Sequence, residues 1–364
     1  MFELSTPRPF TRESQRSVYE NAIEQAVVAE EAGFTSAWVV EHHFMEEYSH
    51  SSAPEIFLGA LARETTTLRL GFGIATCVPK YHSAVRLAEK AAFLDHISGG
   101  RVDFGTGRSS TWNELGGFGA DPDTTKESWD EYVEAIPKMW TTERVRIDGV
   151  HVSLPERNVL PKPYQDPHPP LWTAITSPGT EIEAGERGMG ALMLSMADID
   201  KNIPRFQAYR EAIRRCRPVG QFVNEQIAAV SWLHCHEDED LARVRGQELF
   251  ETFGYLAGQS LEVSEVFPSD AYGAYGLLSE IRPDPHAPED AKKKPTNGFL
   301  FGSPETIRDT VAHWERAGAD QLNLMVQSAE VLPQDVVLES IRLFGREVLP
   351  KFSAAGLADA KRTA

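Results

Sequence analysis

The sequence predicts an α/β protein of the (β/α)8 TIM-barrel type. Three observations carry that expectation: eight short apolar, β-branched segments can be counted, longer segments of helical period alternate with them, and the chemically unusual residues gather where the apolar segments end. Alternation of this kind marks βαβ units around a parallel sheet, and eight units close the sheet into a barrel whose active-site face is the C-terminal end of its strands. At 364 residues with 41% hydrophobic content, the chain falls within the range of a single barrel. One domain is expected over residues 1–352, with residues 353–364 as a disordered tail.

The candidate strands are Phe2 to Ser5, Thr35 to Val40, Leu68 to Ile74, Arg101 to Gly105, Leu171 to Ile175, Ala191 to Leu194, Gln226 to His234 and Gln321 to Val326. The first helix, Ser14 to Ala32, follows from Val18, Ala22, Ala26 and Ala29, which make one apolar stripe, and from Gly33, which supplies a left-handed stop. Further helices are expected at Pro54 to Thr65, Ala84 to His96, Lys126 to Trp140, Thr180 to Arg187, Asp200 to Cys216, Asp238 to Ala257 and Gln334 to Val348. Between Lys126–Trp140 and the fifth strand lies an excursion, residues 144–170. Its first part, Arg144 to Leu154, alternates around Asp148-Gly149 as a small hairpin does, and the Pro-rich run Pro161 to Pro170 leads back. A longer excursion, residues 258–298, separates strands seven and eight and reads as a mobile lid. After it, Ser303 suits a helix N-cap and Pro304 the first helical position, so an extra helix runs to about Ala317.

Lys and Arg total 36 against 54 Asp and Glu, and a net charge of −18 opposes binding to nucleic acid or to anionic membrane surfaces. With no apolar run long enough to span a bilayer and no secretory pattern at residues 1–11, the chain is expected in the cytoplasm. Cys77, Cys216 and Cys235 are odd in number and far apart, which fits reduced thiols rather than a disulfide framework.

At the strand ends the chemistry becomes specific. The second strand runs into Glu41-His42-His43-Phe44, the third leads to His82, the fourth ends in Gly105-Thr106-Gly107-Arg108-Ser109-Ser110, and the fifth in Thr176-Ser177. Arg108 can donate paired hydrogen bonds to a phosphate, while Thr176, Ser177 and the amides of Gly179 and Thr180 open a helix whose N-terminus favours an anion. Taken singly, these groups also fit a helix cap and an Arg–carboxylate pair. Gly105-x-Gly107 is not a dinucleotide loop, because the sixth position is Ser110 and Trp112 to Gly119 reads as non-helical. His42 and His43 are candidate proton handlers, and only one should face a ligand because neighbouring strand residues point to opposite sides. Glu41 and His43 have the spacing of metal ligands, but no matching cluster stands at the other strand ends, so no metal is expected.

The segment Trp38-Val39-Val40-Glu41-His42-His43-Phe44 resembles the second-strand signature of the bacterial luciferase-like flavin monooxygenases. Arg86-Leu87-Ala88-Glu89, Leu94-Asp95-His96-Ile97-Ser98-Gly99-Gly100-Arg101, Phe104-Gly105-Thr106-Gly107-Arg108 and Phe301-Gly302-Ser303-Pro304-Glu305 are similar to further segments of that family, in the family's order. The resemblance implies FMN, delivered reduced by a separate reductase. It also implies transfer of one oxygen atom from O2 to an organic substrate via a flavin hydroperoxide, and a homodimer. It makes His42 the catalytic residue, puts Gly73, Ile74 and Ala75 under the flavin ring with a non-proline cis peptide at Gly73–Ile74, assigns the phosphate to Arg108, Thr176, Ser177, Gly179 and Thr180, and sets Ser195 and Met196 along the ring pocket. Phe44, Tyr81, Trp112 and Met196 would then contact an apolar or aromatic substrate, although they equally fit ring-packing core residues. Two departures stand against true luciferase activity: Gly107 occupies the place of the luciferases' cysteine, and one residue is inserted between Gly71 and His82. The rival expectations are a deazaflavin-dependent hydride-transfer enzyme on the same fold, a metal-dependent hydrolase, and a non-catalytic flavin-binding protein.

Overall fold

The computed structural model describes residues 1–109, 111–195, 198–262 and 296–352. Most of the expected lid, the C-terminal tail and Met196 lie outside the described residues.

A curled, all-parallel sheet forms the centre, and its strands appear where short apolar segments occur in the sequence. They are β1 (Ser36–Val39), β2 (Arg69–Thr76), β3 (Val102–Gly107), β6 (Leu171–Ile175), β7 (Gly190–Leu194), β8 (Ile227–Cys235) and β10 (Gln321–Met325), hydrogen-bonded in that order. A short strand, β9 (Leu300–Gly302), pairs with the end of β8, and β4 (Val145–Asp148) with β5 (Ser153–Arg157) forms the expected antiparallel hairpin off the barrel. The helices are α1 (Arg12–Glu31), α2 (Pro54–Glu64), α3 (Ala84–Ser98), α4 (Trp112–Phe118), α5 (Thr125–Thr141), α6 (Thr180–Glu186), α7 (Ile199–Ile213), α8 (Glu239–Glu262), α9 (Pro304–Ala317) and α10 (Gln334–Glu347). Among the described residues, no helix is long and apolar enough to cross a membrane.

The expected first strand, Phe2 to Ser5, is reduced to one parallel bridge between Phe2 and Val39. The Phe2 amide donates to Trp38 O (2.8 Å) and accepts through its own carbonyl from the Val40 amide (3.2 Å), while the Met1 amine donates to Leu324 O (2.7 Å). The N-terminal segment thus fills the gap between β10 and β1. It leaves the ladder because Leu4 turns into the left-handed region at φ 55°, which extended pairing does not allow.

Two large core clusters lie between the sheet and its helices, and a third fills the barrel floor with Trp38, Trp172, Leu192 and Ala228. The two indoles meet edge to face at 5.3 Å. Glycine is required beside them: a Cβ on Gly71 would sit 2.2 Å from Trp38, and one on Gly190 would sit 2.4 Å from Trp172. With the floor packed solid, open space in the barrel is left toward the C-terminal ends of the strands.

The segment Trp112 to Gly119, expected to be non-helical, contains α4. Thr111 caps it by accepting from the Glu114 amide, and Gly119 ends it in the left-handed conformation at φ 65°. Gly116 and Gly117 lower its intrinsic helix propensity, but both are needed for close contact. A Cβ would lie 2.8 Å from Trp112 at the first and 2.5 Å from Phe44 at the second.

Candidate active site

A cavity of about 270 Å³ opens at the C-terminal ends of the strands. One wall carries His42 with Glu3, Glu41 and Glu114. The lining also carries Arg108, Lys126, Glu183, Thr176, Ser177 and Thr180, and its apolar and aromatic part includes Trp38, Ile74, Trp129, Leu194 and Phe253.

His42 follows directly on β1 and Glu41, where the ladder has ended and a side chain can turn into the barrel mouth. Its backbone amide donates to Ser51 O (3.0 Å), and its ring lies against Tyr48 with centroids 5.2 Å apart. Nδ1 is 3.1 Å from Glu114 Oε1, and Nε2 is 3.9 Å from Glu3 Oε2. Glu114 is almost wholly buried and also accepts from the His43 amide (3.1 Å), Ser109 Oγ (2.9 Å) and Thr111 Oγ1 (3.0 Å). A carboxylate only accepts, so this partner assigns the proton to Nδ1 and leaves Nε2 to face Glu3 and the cavity. Burial alone would lower the basicity of His42. The charge and hydrogen bond of Glu114, followed by the charges of Glu3 and Glu41, outweigh it and push the pKa up to about 9. Burial likewise opposes the Glu114 carboxylate, but His42 and the Ser109 and His43 donors prevail and hold its pKa below the usual range. Burial pushes Glu3 up to about 6, against the charges of His42 and the Met1 amine.

His43 turns away from the cavity, so one of the two histidines faces it. His43 Nε2 is 3.1 Å and His82 Nε2 is 2.6 Å from the same oxygen of Glu41, whose other oxygen accepts from the Thr76 amide (2.9 Å). Burial of Glu41 is overcome by these two histidines and the amide, and its pKa is held down to about 2. The Glu41–His43 pair expected as a possible metal motif is therefore part of a hydrogen-bonded brace in the cavity wall. Among the described residues, no group of His, Cys, Asp and Glu is arranged to hold a metal ion.

Elsewhere in the lining, Arg108 leaves the end of β3, and Thr176 and Ser177 follow β6. Lys126, which the sequence reading missed, joins them from α5, bonded to Asp130 (2.7 Å) and Glu183 (2.7 Å) and lying over the Trp129 ring. The expected use of the Gly179 and Thr180 amides needs correction. The Gly179 amide donates to Glu181 Oε2 (3.1 Å) and the Thr180 amide to Ser177 O (3.3 Å), so both are taken up within the turn, and Gly179 does not line the cavity. The cavity lining here consists of Arg108, Lys126 paired with Glu183, and Thr176, Ser177 and Thr180.

Gly73 and Ile74 line the cavity, and the peptide between them is cis. The β2–β3 register shifts between Phe72 and Ala75, so the backbone bulges there. Ala75 lies in the core between sheet and helices rather than at the cavity. Ser195 is buried next to Leu194, and its Oγ has no hydrogen-bond partner among the described residues. Gly107 is a glycine for a visible reason: a Cβ there would meet Ile74 Cγ1 at 2.8 Å, so the Ile74 side chain takes the space that a cysteine would need.

The three aromatic substrate candidates within the described residues do not line the cavity. Phe44 is 58% exposed and packs on Phe118 at 5.1 Å. Tyr81 stacks on Phe118 at 4.2 Å, and Trp112 flanks the small cluster of Val78, Leu115 and Ala120. They hold α4, and with it Glu114, against the barrel mouth. The aromatic surfaces that do face the cavity, Trp38, Tyr48, Trp129 and Phe253, come from β1, the loop after it, α5 and α8. Nothing in the sequence distinguishes them from core residues.

Comparison with known proteins bears on this site. The family model described as luciferase-like monooxygenase matches residues 1–321. The protein y4vJ of Sinorhizobium fredii is 30% identical over 352 residues, covering 96% of this chain and 95% of that protein. The oxygenase component of the flavin-dependent trigonelline monooxygenase of Acinetobacter baylyi is 23% identical over 346 residues, covering 94% and 92%. Among solved structures, the monooxygenase RslO1 from Streptomyces bottropensis superposes with a TM-score of 0.77 at 26% identity, covering 97% of this chain and 98% of that one. The fold is also that of the oxygenating constituent of 3,6-diketocamphane monooxygenase from Pseudomonas putida in complex with FMN (TM-score 0.73, 19% identity, 96% of each chain). It is shared as well by an F420-dependent secondary alcohol dehydrogenase (TM-score 0.69, 19% identity, 91% and 94%).

Proposed function

Because the chain belongs to the luciferase-like monooxygenase family, we propose that its cavity binds reduced FMN and that the protein is an oxygenase component transferring one atom of O2 to an apolar or aromatic organic substrate. The observation that carries this reading is the composition of one cavity: Arg108, Lys126 with its partner Glu183 and three hydroxyls, an imidazole clamped by carboxylates, and apolar and aromatic surface. A flavin mononucleotide presents groups to match, an anionic phosphate, a flat hydrophobic ring and a reactive edge. Ser195 Oγ, next to the cavity-lining Leu194 and without a partner among the described residues, suits a ring heteroatom. Arg108, Lys126, Thr176, Ser177 and Thr180 would hold the phosphate, with Gly73, Ile74 and Trp38 against the ring. Reduced flavin supplies the activation of O2. The chain's part is to exclude water with its apolar walls, to orient the ring, and to hold or release a proton at His42 Nε2.

Reduced flavin must come from elsewhere, and the name of the Acinetobacter baylyi relative, an oxygenase component, supports a separate reductase as partner. The three cysteines, all unpaired, suit a reducing cytoplasm. A homodimer is supported by a groove on α2 and α3 lined by Phe93, Ile97 and Leu160, all exposed, with Glu55, Arg86 and Lys90 as a charged rim. A second copy of the chain is the partner we assign to it.

The test is an anaerobic binding titration with FMN, riboflavin and a deazaflavin. Tighter binding of FMN than of riboflavin, lost in Arg108→Ala, supports the reading. Retention of the deazaflavin in preference to FMN would transfer the site to hydride-transfer chemistry.

A further inference from the structure

We propose that Glu3, contributed by the N-terminal segment that closes the barrel, is the proton partner of His42 on the cavity side: it takes the proton from Nε2 and returns it, while Glu114 holds the ring from behind. Geometry separates the two carboxylates. Glu114 accepts four hydrogen bonds, from the His42 ring, the His43 amide, Ser109 and Thr111, and is saturated. Glu3 lines the cavity and is only 7% exposed. Its Oε2, the oxygen 3.9 Å from His42 Nε2, has no hydrogen-bond partner among the described residues, while Tyr48 hydrogen-bonds the same carboxyl group. A buried carboxylate oxygen left unpaired is costly, and beside an imidazolium it is a proton acceptor in waiting.

At 3.9 Å the transfer runs through a small rotation of the Glu3 side chain or one bridging water. The N–H bond at His42 Nε2 breaks and an O–H bond forms at Glu3 Oε2. Imidazolium becomes imidazole, carboxylate becomes carboxylic acid, and no further reactant is consumed. The proton rests on His42, at about 9 against about 6 for Glu3, and Glu3 can carry it transiently because burial raises its affinity for one, whereas Glu114 and Glu41 are both held anionic by their donors. The charged and titratable groups around His42 are Glu114 from α4, Glu41 at the end of β1, Tyr48 from the loop beyond it, Glu3, and through Glu3 the Met1 amine. Glu41 is occupied by His43 and His82, which leaves Glu3 as the exchangeable neighbour.

The use made of this proton rests on the oxygenase reading, but the His42–Glu3 coupling belongs to the cofactor-free protein and is tested there. Protein labelled with ¹⁵N-histidine is titrated by NMR without flavin. In the wild type the His42 ring shifts should follow two inflections, a lower one reporting Glu3 and a higher one reporting the ring itself. In Glu3→Gln the lower inflection should vanish and the ring midpoint should fall by about one pH unit, the effect of removing one opposite charge at this range. A single inflection in the wild type, or an unmoved midpoint in Glu3→Gln, overturns the proposal, and the first of these needs no variant to fold. As a second readout, the pH profile of flavin-dependent turnover in Glu3→Gln should shift by a similar amount, with Glu3→Asp restoring part of it. If the coupling is present but FMN does not bind, the oxygenase reading fails and the proton pair stands. If FMN binds but the coupling is absent, this proposal alone fails.

Discussion

Replacing Glu114 by Gln should destabilise the protein by an amount that depends on pH. In the folded protein His42 titrates at about 9, against an ordinary 6.5. That gap corresponds to roughly 3 kcal/mol of preferential stabilisation of the imidazolium. Because the folded value lies above the unfolded one, the contribution is complete below about pH 6.5 and is lost as pH rises through about 9. Glu114 is its principal source; without that charge, burial dominates and the His42 pKa falls back toward or below its ordinary value. The substitution also carries a pH-independent cost of about 1–3 kcal/mol, because a carboxamide cannot accept from the Ser109, Thr111 and His43 donors as a carboxylate does. The difference in unfolding free energy between wild type and Glu114→Gln should therefore be largest near pH 6 and shrink by roughly 3 kcal/mol toward pH 10. The Met1 amine, pushed down by burial to about 5, titrates across part of this window in the opposite sense, and Glu3, pushed up by burial to about 6, titrates below it. Both are common to the two proteins and largely cancel. Urea unfolding of both proteins at matched pH values is the assay, and a difference that stays flat from about pH 6 to pH 10 refutes the reasoning.

Three other outcomes are expected. His42→Ala should lower turnover roughly 10²- to 10⁴-fold with flavin affinity retained, measured by steady-state rates beside equilibrium titration; normal turnover removes His42 from the chemistry. Gly107→Ala should push the Ile74 side chain into the cavity and weaken flavin binding several-fold, a penalty that should disappear in an Ile74→Ala background, since Ile74 supplies the clashing atoms at 2.8 and 3.0 Å. Phe93→Glu should convert a dimer to a monomer in analytical ultracentrifugation, whereas an unchanged sedimentation coefficient would take the interface off α2 and α3.

Legibility in the sequence followed the range of the interactions involved. The barrel rhythm was readable because each strand is apolar on its own account and each helix carries its own stripe, so local pattern and final packing agree. The first strand was overread because Phe2 to Ser5 is apolar enough to pair, but Leu4 bends out of the ladder. Helix α4 was underread because Gly116 and Gly117 argue against a helix locally. They are there to admit the Trp112 and Phe44 rings, a requirement visible only in the packed structure. Missing α4 meant missing Glu114, whose link to His42 joins elements far apart in the chain. His42 and His43 stood out together at a strand end, the choice of His42 came from the family resemblance, and the structure places His42 rather than His43 in the cavity lining. Phe44, Tyr81 and Trp112 were misplaced at the cavity because proximity to a strand end does not say to which side of the wall a side chain turns.

The central claim is that this cavity holds reduced FMN in a water-excluding setting for reaction with O2. Its most direct test is to mix the anaerobic complex of protein and reduced FMN with O2 in a stopped-flow instrument and follow reoxidation beside free reduced FMN. The account predicts saturable binding of reduced FMN and a reoxidation course distinct from that of the free cofactor, with His42→Ala altering its pH dependence. Reoxidation indistinguishable from free reduced FMN at protein concentrations well above the cofactor would contradict it.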